Sequence, residues 1–259
     1  MRYLIYSICF FSPFFLTNLA NASITTAKKN DNLQFFYEAS KNSIIIDFDE
    51  LKKKIDLLLP KGSCVGFDLD DTLVFSSNAF IAGLKKFHIK EKSLIQDPDF
   101  WYEISTSLDA RLTKAKEIAK KIIKFHSQRG DELIIVTSRI VDQREAIVKS
   151  SIAKLLNSLF SDDLKKNFDE RRIFLTGLFE KDVKNSRFID KAEVLIKEKI
   201  QLFYGDSDYD IKSAFKARAQ PVRIMRDQAS SNTASYSPGR NFNNDRLNIS
   251  EWILYQSNL

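Results

Sequence analysis

The chain is poor in the residues that build covalent scaffolds and flexible loops. Its 259 residues include seven glycines, two cysteines and two histidines. The cysteines are Cys9 and Cys64. Cys9 lies in an N-terminal segment expected to be removed, so Cys64 is left alone and an internal disulfide is excluded. Within its apolar run, Cys64 reads as a small buried hydrophobe. The formal net charge of +6 comes from 40 basic and 34 acidic residues. Those charges are interspersed, with no nucleic-acid-binding motif beside them, so a nucleic-acid partner is not expected. A solvated surface is the plain reading of the lysines, and attraction to anionic substrates the sharper one. No internal repeat is present. A clean membrane span is also missing. Ser7, Ser12, Pro13, Thr17 and Asn18 interrupt the run from Tyr3 to Leu19, which falls short of the roughly 20 apolar residues a span prefers.

That interrupted run has the form of an export signal. Arg2 supplies a positive start, Phe10, Phe11, Phe14, Phe15 and Leu16 form the apolar centre, and Ala20-Asn21-Ala22 gives a small-x-small pattern before Ser23. Residues 1–22 are therefore expected to be a cleaved signal peptide, with no stable membrane insertion afterwards. Cys9 lacks the leucine-rich context of a lipoprotein. Arg2 is the single charged residue of this segment, so its removal takes the net charge from +6 to +5. A short signal and the lack of a disulfide framework point to a bacterial periplasm.

The remaining chain, 44% apolar overall, is long enough for one substantial domain. Residues 23–62 read as an N-terminal extension with a helix. Phe48, Leu51, Ile55, Leu58 and Leu59 share one face, and Pro60-Lys61-Gly62 ends it. Beyond it, strands are expected at 63–67, 132–136, 172–175, 200–204 and 222–225. Helices are expected at 113–128, 140–159, 186–199 and 211–218. This alternation predicts an α/β fold, a doubly wound parallel sheet, over residues 63–226. Residues 78–112 are aromatic-rich and predict a small, mainly helical cap after the first core strand, placed to wall a pocket. Residues 227–259 read as a polar C-terminal arm rather than further core.

The chemistry is concentrated where the first strand ends. Cys64-Val65-Gly66-Phe67 is an apolar run that meets Asp68, Asp70 and Asp71 within four positions. In an open α/β sheet ligands bind at the carboxyl ends of strands. Carboxylates so close repel one another by about 4 kcal/mol per pair at ~4 Å in a medium of effective dielectric ~20, so the turn expects a hard cation. Two further strand ends carry polar groups. One is Thr137, and the other is Gly205-Asp206-Ser207-Asp208-Tyr209-Asp210. A parallel sheet brings all three to one edge, which suits a magnesium site for phosphate chemistry. Asp206, Asp208 and Asp210 could instead form a surface calcium loop. Their place after a strand and before a helix, together with Asp68, weighs against that.

These motifs resemble those of the haloacid dehalogenase superfamily, and within it the class B acid phosphatases. The likeness rests on Asp68-x-Asp70-Asp71-Thr72, Phe75-Ser76-Ser77, Pro98-x-Phe100-Trp101, Arg129-Gly130-Asp131, Thr137, Lys191 and Phe203-Tyr204-Gly205-Asp206-Ser207-Asp208. It covers the chain from about residue 63 onward. The resemblance implies Asp68 as nucleophile and Asp70 as proton donor and acceptor. Mg2+ would be held by Asp68, the Asp70 main-chain carbonyl and Asp206, with Asp210, and in some degree Asp208, orienting that shell. Asp71 would be support.

Thr137, the Ser138 amide and Lys191 would bind phosphate. The family usually has glycine at the Ser138 position, and serine loses its backbone freedom. Lys191 is picked out by lying 15 positions before Asp206. Phe80, Ile95, Trp101 and Tyr236 match the family's apolar substrate pocket, where aromatic faces could stack on a base or phenyl ring. A homotetramer is implied as well.

The activity so implied is hydrolysis of small organic phosphomonoesters such as nucleotides through a phosphoaspartyl intermediate, with phosphotransfer to alcohols as a second outcome. Alternatives are another exported phosphatase of the superfamily, of the class C type, or a non-catalytic binding or storage protein on the same fold. His88 and His126 fall at no motif position, which disfavours a histidine-type phosphatase.

Overall fold

The fold is organised around one interior strand. In the computed structural model, which describes residues 43–90, 97–140, 142–177, 190–239 and 250–255, Cys64–Phe67 is strand β2. The other strands of its sheet are β1 (Ile44–Ile46), β5 (Glu132–Ile140), β6 (Ile173–Gly177), β7 (Leu202–Gly205), β8 (Gln220–Ile224) and β9 (Trp252–Leu254). They lie in the order β1-β9-β8-β7-β2-β5-β6, and every pairing is parallel. All carboxyl ends therefore emerge on one edge. Central β2 is flanked by β5 and β7 and places its own end in the middle of that edge.

Alternation along the strands divides the core into two layers. In β5, Ile135 packs on one side with Phe67, Ile118, Ile122 and Tyr204. Its neighbours Ile134 and Val136 pack on the other with Val194, Leu195 and Phe203. Full burial of such side chains contributes ~1.5–3 kcal/mol each. The helices that cover these layers are α1 (Phe48–Leu58), α5 (Glu117–Arg129), α6 (Glu145–Leu159), α7 (Lys191–Lys197) and α8 (Asp208–Lys216). Helix α1 begins where the Asp47 carboxylate accepts the Glu50 amide at 2.8 Å, and α5 stops at Gly130, whose φ of 74° only glycine adopts freely.

The aromatic segment after β2 forms a helical cap, built from α2 (Ser77–Lys86), α3 (Pro98–Glu103), a π-helical turn (Ile104–Leu108) and α4 (Asp109–Leu112). It has its own small core of Ala79, Phe100, Ile104 and Leu108. Both ends of the insertion are clasped by a two-stranded antiparallel ribbon, β3 (Val74–Phe75) with β4 (Lys114–Ala115). This ribbon delays the next helix. The segment expected to be helical from residue 113 turns helical at Glu117, because the preceding residues are spent closing the cap.

Two other segments depart from expectation. Strand β5 does not stop at Val136. It stays paired with β6 through a register shift as far as Ile140, so the following helix starts at Glu145 rather than Ile140. The C-terminal segment is not all surface arm either. Trp252, Ile253 and Leu254 are buried as β9 between β8 and β1, because an apolar triplet with strands on both sides satisfies its backbone and hides its side chains together. Among the described residues no helix is long and apolar enough to cross a membrane. The segments 1–22 and Ile95 lie outside the described residues.

Candidate active site

Asp68 leaves β2 with its amide donating to the Tyr204 carbonyl of β7 at 2.8 Å. This bond places it beside the end of β7, where Asp206 follows. Gly205 makes that approach possible: a Cβ there would lie 2.2 Å from the Asp210 Cβ. Asp210 caps its helix back onto Ser207, accepting from the Ser207 amide at 3.0 Å and hydroxyl at 2.6 Å. Asp68, Asp206 and Asp210 are all buried, and one carboxylate oxygen of each lies within 4.8 Å of the others.

Lys191, at the start of α7, enters this cluster. Its Nζ donates to Asp68 at 2.9 Å and to Asp210 at 2.6 Å, and its side chain is 1% exposed. Burial alone would lower the lysine pKa, but Asp210 and Asp68 overcome it and hold Lys191 above the ordinary range. The carboxylates fare differently. Burial raises the Asp68 carboxyl well above its usual value, against the pull of Lys191. Burial, with Asp210 close by, pushes Asp206 up to about 6, against the pull of Arg226. One lysine serves two carboxylates here, and the third pairs with Arg226.

Asp70 faces away from this cluster, toward the cap. Arg139 grips both of its oxygens, at 2.9 and 2.7 Å, and Ser76 donates to one at 2.7 Å. The same guanidinium reaches Ser105 at 3.0 Å and Asp109 at 2.5 Å in the cap. Asp71 turns the chain with φ 60°. Its carbonyl accepts from Lys116 Nζ at 2.6 Å and its carboxylate from Ser230 at 2.5 Å. Thr72 lies 3.2 Å from Asp68 Oδ2 and 3.4 Å from Asp206 Oδ1, so one hydroxyl serves both.

Thr137 is buried within β5 rather than at its tip, and Ser138 is exposed beside it. Ser138 is not among the residues with positive φ, so serine stands there without backbone strain. The close approach falls on the neighbouring strand instead, where a Cβ on Gly177 would sit 2.3 Å from the Ser138 carbonyl oxygen. Asp208 does not join the acidic cluster. It pairs with Arg223 at 3.0 Å and accepts from Ser235 and the Ser237 amide.

Phe80 and Trp101 meet edge to face at 5.4 Å, and both rings lie about 6 Å from the Arg139 guanidinium. Tyr236 lies under Arg226 at 4.7 Å, and its hydroxyl accepts the Arg226 amide at 3.2 Å. Sequence reasoning assigned no role to Arg139, Arg226, Asp109 or Ser230. For Arg139 a signal existed: two positions after Thr137 on a strand, it shares that residue's face. For Arg226 the signal was its place just past the carboxyl end of β8.

No family model matches the chain. Among curated proteins, it is 33% identical to the class B acid phosphatase of Klebsiella pneumoniae over 64% of this chain and 64% of that protein. It is 27% identical to the class B acid phosphatase of Aggregatibacter actinomycetemcomitans over 70% of each. Among solved structures, a haloacid dehalogenase-like hydrolase from Streptococcus pneumoniae matches with a TM-score of 0.44 at 14% identity. That match covers 75% of this chain and 94% of that one. A class C acid phosphatase from Bacillus anthracis with tungstate bound matches with a TM-score of 0.42 at 19% identity, over 62% and 60%. The curated relatives are bacterial, and two of the alignments at 32–33% identity span just under two thirds of their length. By sequence, the chain is similar to class B acid phosphatases over about two thirds of its length.

Proposed function

We propose that the chain is an exported, magnesium-dependent acid phosphatase that hydrolyses small organic phosphomonoesters, nucleotides among them, through a phosphoaspartyl intermediate. The observation that carries this reading is the buried pairing of Lys191 with Asp68 and Asp210 beside Asp206. It gives a carboxylate nucleophile a fixed counter-cation and leaves a set of oxygen donors next to it.

The donor set fits a divalent ion. It is all oxygen, as magnesium prefers. It is buried, and burial raises the Asp68 and Asp206 carboxyls against the pull of Lys191 and Arg226, a cost that a bound cation would offset. Asp68, the Asp70 carbonyl and Asp206 would hold Mg2+. Asp210, committed to Lys191 and Ser207, would orient them. The ion would supply charge neutralisation for a phosphate dianion.

The chain's own residues supply the rest. Asp68 attacks phosphorus in line, forming one P–O bond as the ester P–O bond breaks. Asp70 gives a proton to the leaving oxygen, then takes one from the water that attacks the phosphoaspartate. This exchange requires one Asp70 oxygen to be released from Arg139, which otherwise occupies both. Lys191 holds the nucleophile and the transferring group together, and the Thr137 hydroxyl and Ser138 amide bind phosphate oxygens. Interception of the phosphoenzyme by an alcohol would give phosphotransfer. Phe80 and Trp101 would face the organic part of the ester, with Tyr236 completing the pocket.

Cleavage of residues 1–22, a periplasmic location and a homotetramer belong to the same reading. A non-catalytic role is disfavoured because Asp68, Asp70, Thr137, Lys191 and Asp206 are all present. Asp68→Asn tests the proposal. Turnover of para-nitrophenyl phosphate should fall by at least ~10³-fold with an unchanged circular dichroism spectrum, whereas retained activity would sink the mechanism.

A further inference from the structure

Asp206 is the one carboxylate of the acidic cluster that Lys191 does not reach. Its ion pair is with Arg226 Nε at Oδ2. Its other oxygen, Oδ1, faces the Thr72 hydroxyl, which Asp68 Oδ2 shares. The arginine and the acidic cluster therefore hold opposite oxygens of one carboxylate.

Arg226 is itself tightly placed. Nη1 donates to the Ala234 carbonyl at 2.7 Å, the guanidinium lies 4.7 Å from the Tyr236 ring, and its amide donates to the Tyr236 hydroxyl. The segment supplying these contacts, residues 227–237, is bound across the acidic edge at several points. Ser230 donates to Asp71 at 2.5 Å, the Ser231 amide to Ser77 at 2.8 Å, and Ser235 to Asp208 at 2.7 Å. In return, the Asp208 amide donates to the Ser235 carbonyl at 2.9 Å. The polar stretch is a strap joining the turn after β2, the start of the cap and the loop after β7. Among the described residues Arg226 Nη2 is buried and has no hydrogen-bond partner, which is rare for a guanidinium whose side chain is 8% exposed.

We propose that Arg226 is a positioning residue for the divalent ion. Braced by the 227–237 strap, it holds Asp206 Oδ2 so that Oδ1 is presented toward Asp68, and this sets the affinity of the edge for Mg2+. The proposal rests on the reading that Asp68 and Asp206 hold such an ion. Two effects of a nearby cation compete. Its charge repels the ion, while its hydrogen bond fixes the ligand. The contact is to Oδ2 and not to the Oδ1 that shares the Thr72 hydroxyl with Asp68, so fixing the ligand dominates. Outer partners of ligating groups typically contribute 10- to 100-fold in metal affinity.

The test is isothermal titration calorimetry of the full chain with MgCl2 alone, without substrate, for the wild type, Arg226→Gln, Arg226→Lys and Tyr236→Leu. Arg226→Gln should weaken Mg2+ binding by roughly 10- to 100-fold. Arg226→Lys should fall between, because an ammonium keeps the charge and loses the fork. Tyr236→Leu, which removes the ring beneath the guanidinium, should weaken binding by roughly 2- to 5-fold. It keeps the test open should Arg226→Gln fail to fold. Unchanged or tighter binding in a folded Arg226→Gln overturns the proposal and leaves the metal reading standing. A wild type that binds no Mg2+ overturns the metal reading itself.

Discussion

Two clusters of buried charge lie at opposite ends of the central strands, and they are built differently. At the amino end, Asp131 accepts the Gly62 and Ser63 amides at 2.9 and 3.2 Å. Its other oxygen takes Arg129 at 2.9 Å and His126 at 2.7 Å. Arg129 is completed by Asp56 and the Leu59 and Pro60 carbonyls. Burial lowers the His126 pKa against the pull of Asp131. A neutral ring that donates from Nδ1 to Asp131 then accepts at Nε2 from the Tyr204 hydroxyl, 2.8 Å away. At the carboxyl end, Asp68, Asp206 and Asp210 share Lys191 and Arg226, both Asp68 and Asp206 are raised, and Asp71 Oδ1 and Arg226 Nη2 are buried without hydrogen-bond partners among the described residues.

The amino-end network satisfies its members from within and sets the start of two strands. The carboxyl-end cluster leaves two buried carboxyls raised despite their cationic partners, at the end of those same strands. Burial alone does not separate a structural from a functional cluster. Whether the charges close on themselves does.

The sharpest way to break this contrast is to remove one charge from each end. Lys191→Ala strips the counter-cation from two buried carboxylates, which should cost ~3–5 kcal/mol in urea unfolding without added ion and abolish detectable phosphatase activity. Both losses are needed for the contrast. A variant that unfolds like the wild type would show the cluster to be less charged than described. Asp131→Ala should also cost ~3–5 kcal/mol, because two amides, a histidine and an arginine lose their partner. Its Mg2+ affinity should match the wild type, and a tenfold change would show that the ends are not independent. The smallest effect is expected at the cap. Trp101→Ala should raise KM for aryl phosphates by ~3- to 10-fold with kcat held within twofold, as lost contact area without lost chemistry predicts. A fall in kcat alone would assign Trp101 to the Arg139 and Asp70 arrangement instead.

Much of this layout is legible from residue order. Asp68, Asp70 and Asp206 each follow an apolar run, and a parallel sheet has no other place for the ends of such runs than one edge. The cap is legible from its aromatics. Less legible were the arginines. On a strand or just past it, Arg139 and Arg226 look like any solvated charge, and their partners Asp109 and Asp206 are distant in sequence. Strand β9 was hidden for another reason. Three apolar residues after a polar stretch carry no periodicity, and their strand status comes from β1 and β8 on either side. The polar composition of residues 227–237 reads as solvation when the segment is taken alone. In the fold those serines and amides bond to carboxylates that a sequence shows only as a crowded turn.

On this reading the carboxyl edge holds buried carboxylates that a divalent ion would neutralise. This is tested most directly by thermal unfolding of the metal-free wild type and Asp206→Asn across pH 4 to 7, with and without Mg2+. Folded Asp206 titrates at about 6 against an ordinary value of 3.8, so within that window the folded state binds more proton. Its stabilising contribution is present below the lower value and lost as pH rises through the upper one. His126 works with the opposite sign: its folded pKa is lowered from 6.5, so stability is lost as pH falls below that value. The difference between wild type and Asp206→Asn cancels the His126 effect and leaves that of Asp206 together with the Asp68 carboxyl it repels. Without ion, the wild type should lose on the order of 2–3 kcal/mol relative to Asp206→Asn between pH 4 and 6. Mg2+ should restore that loss at pH 7, do little at pH 4, and leave Asp206→Asn unmoved. Parallel curves for the two proteins, or a wild type indifferent to Mg2+ at pH 7, would contradict the account.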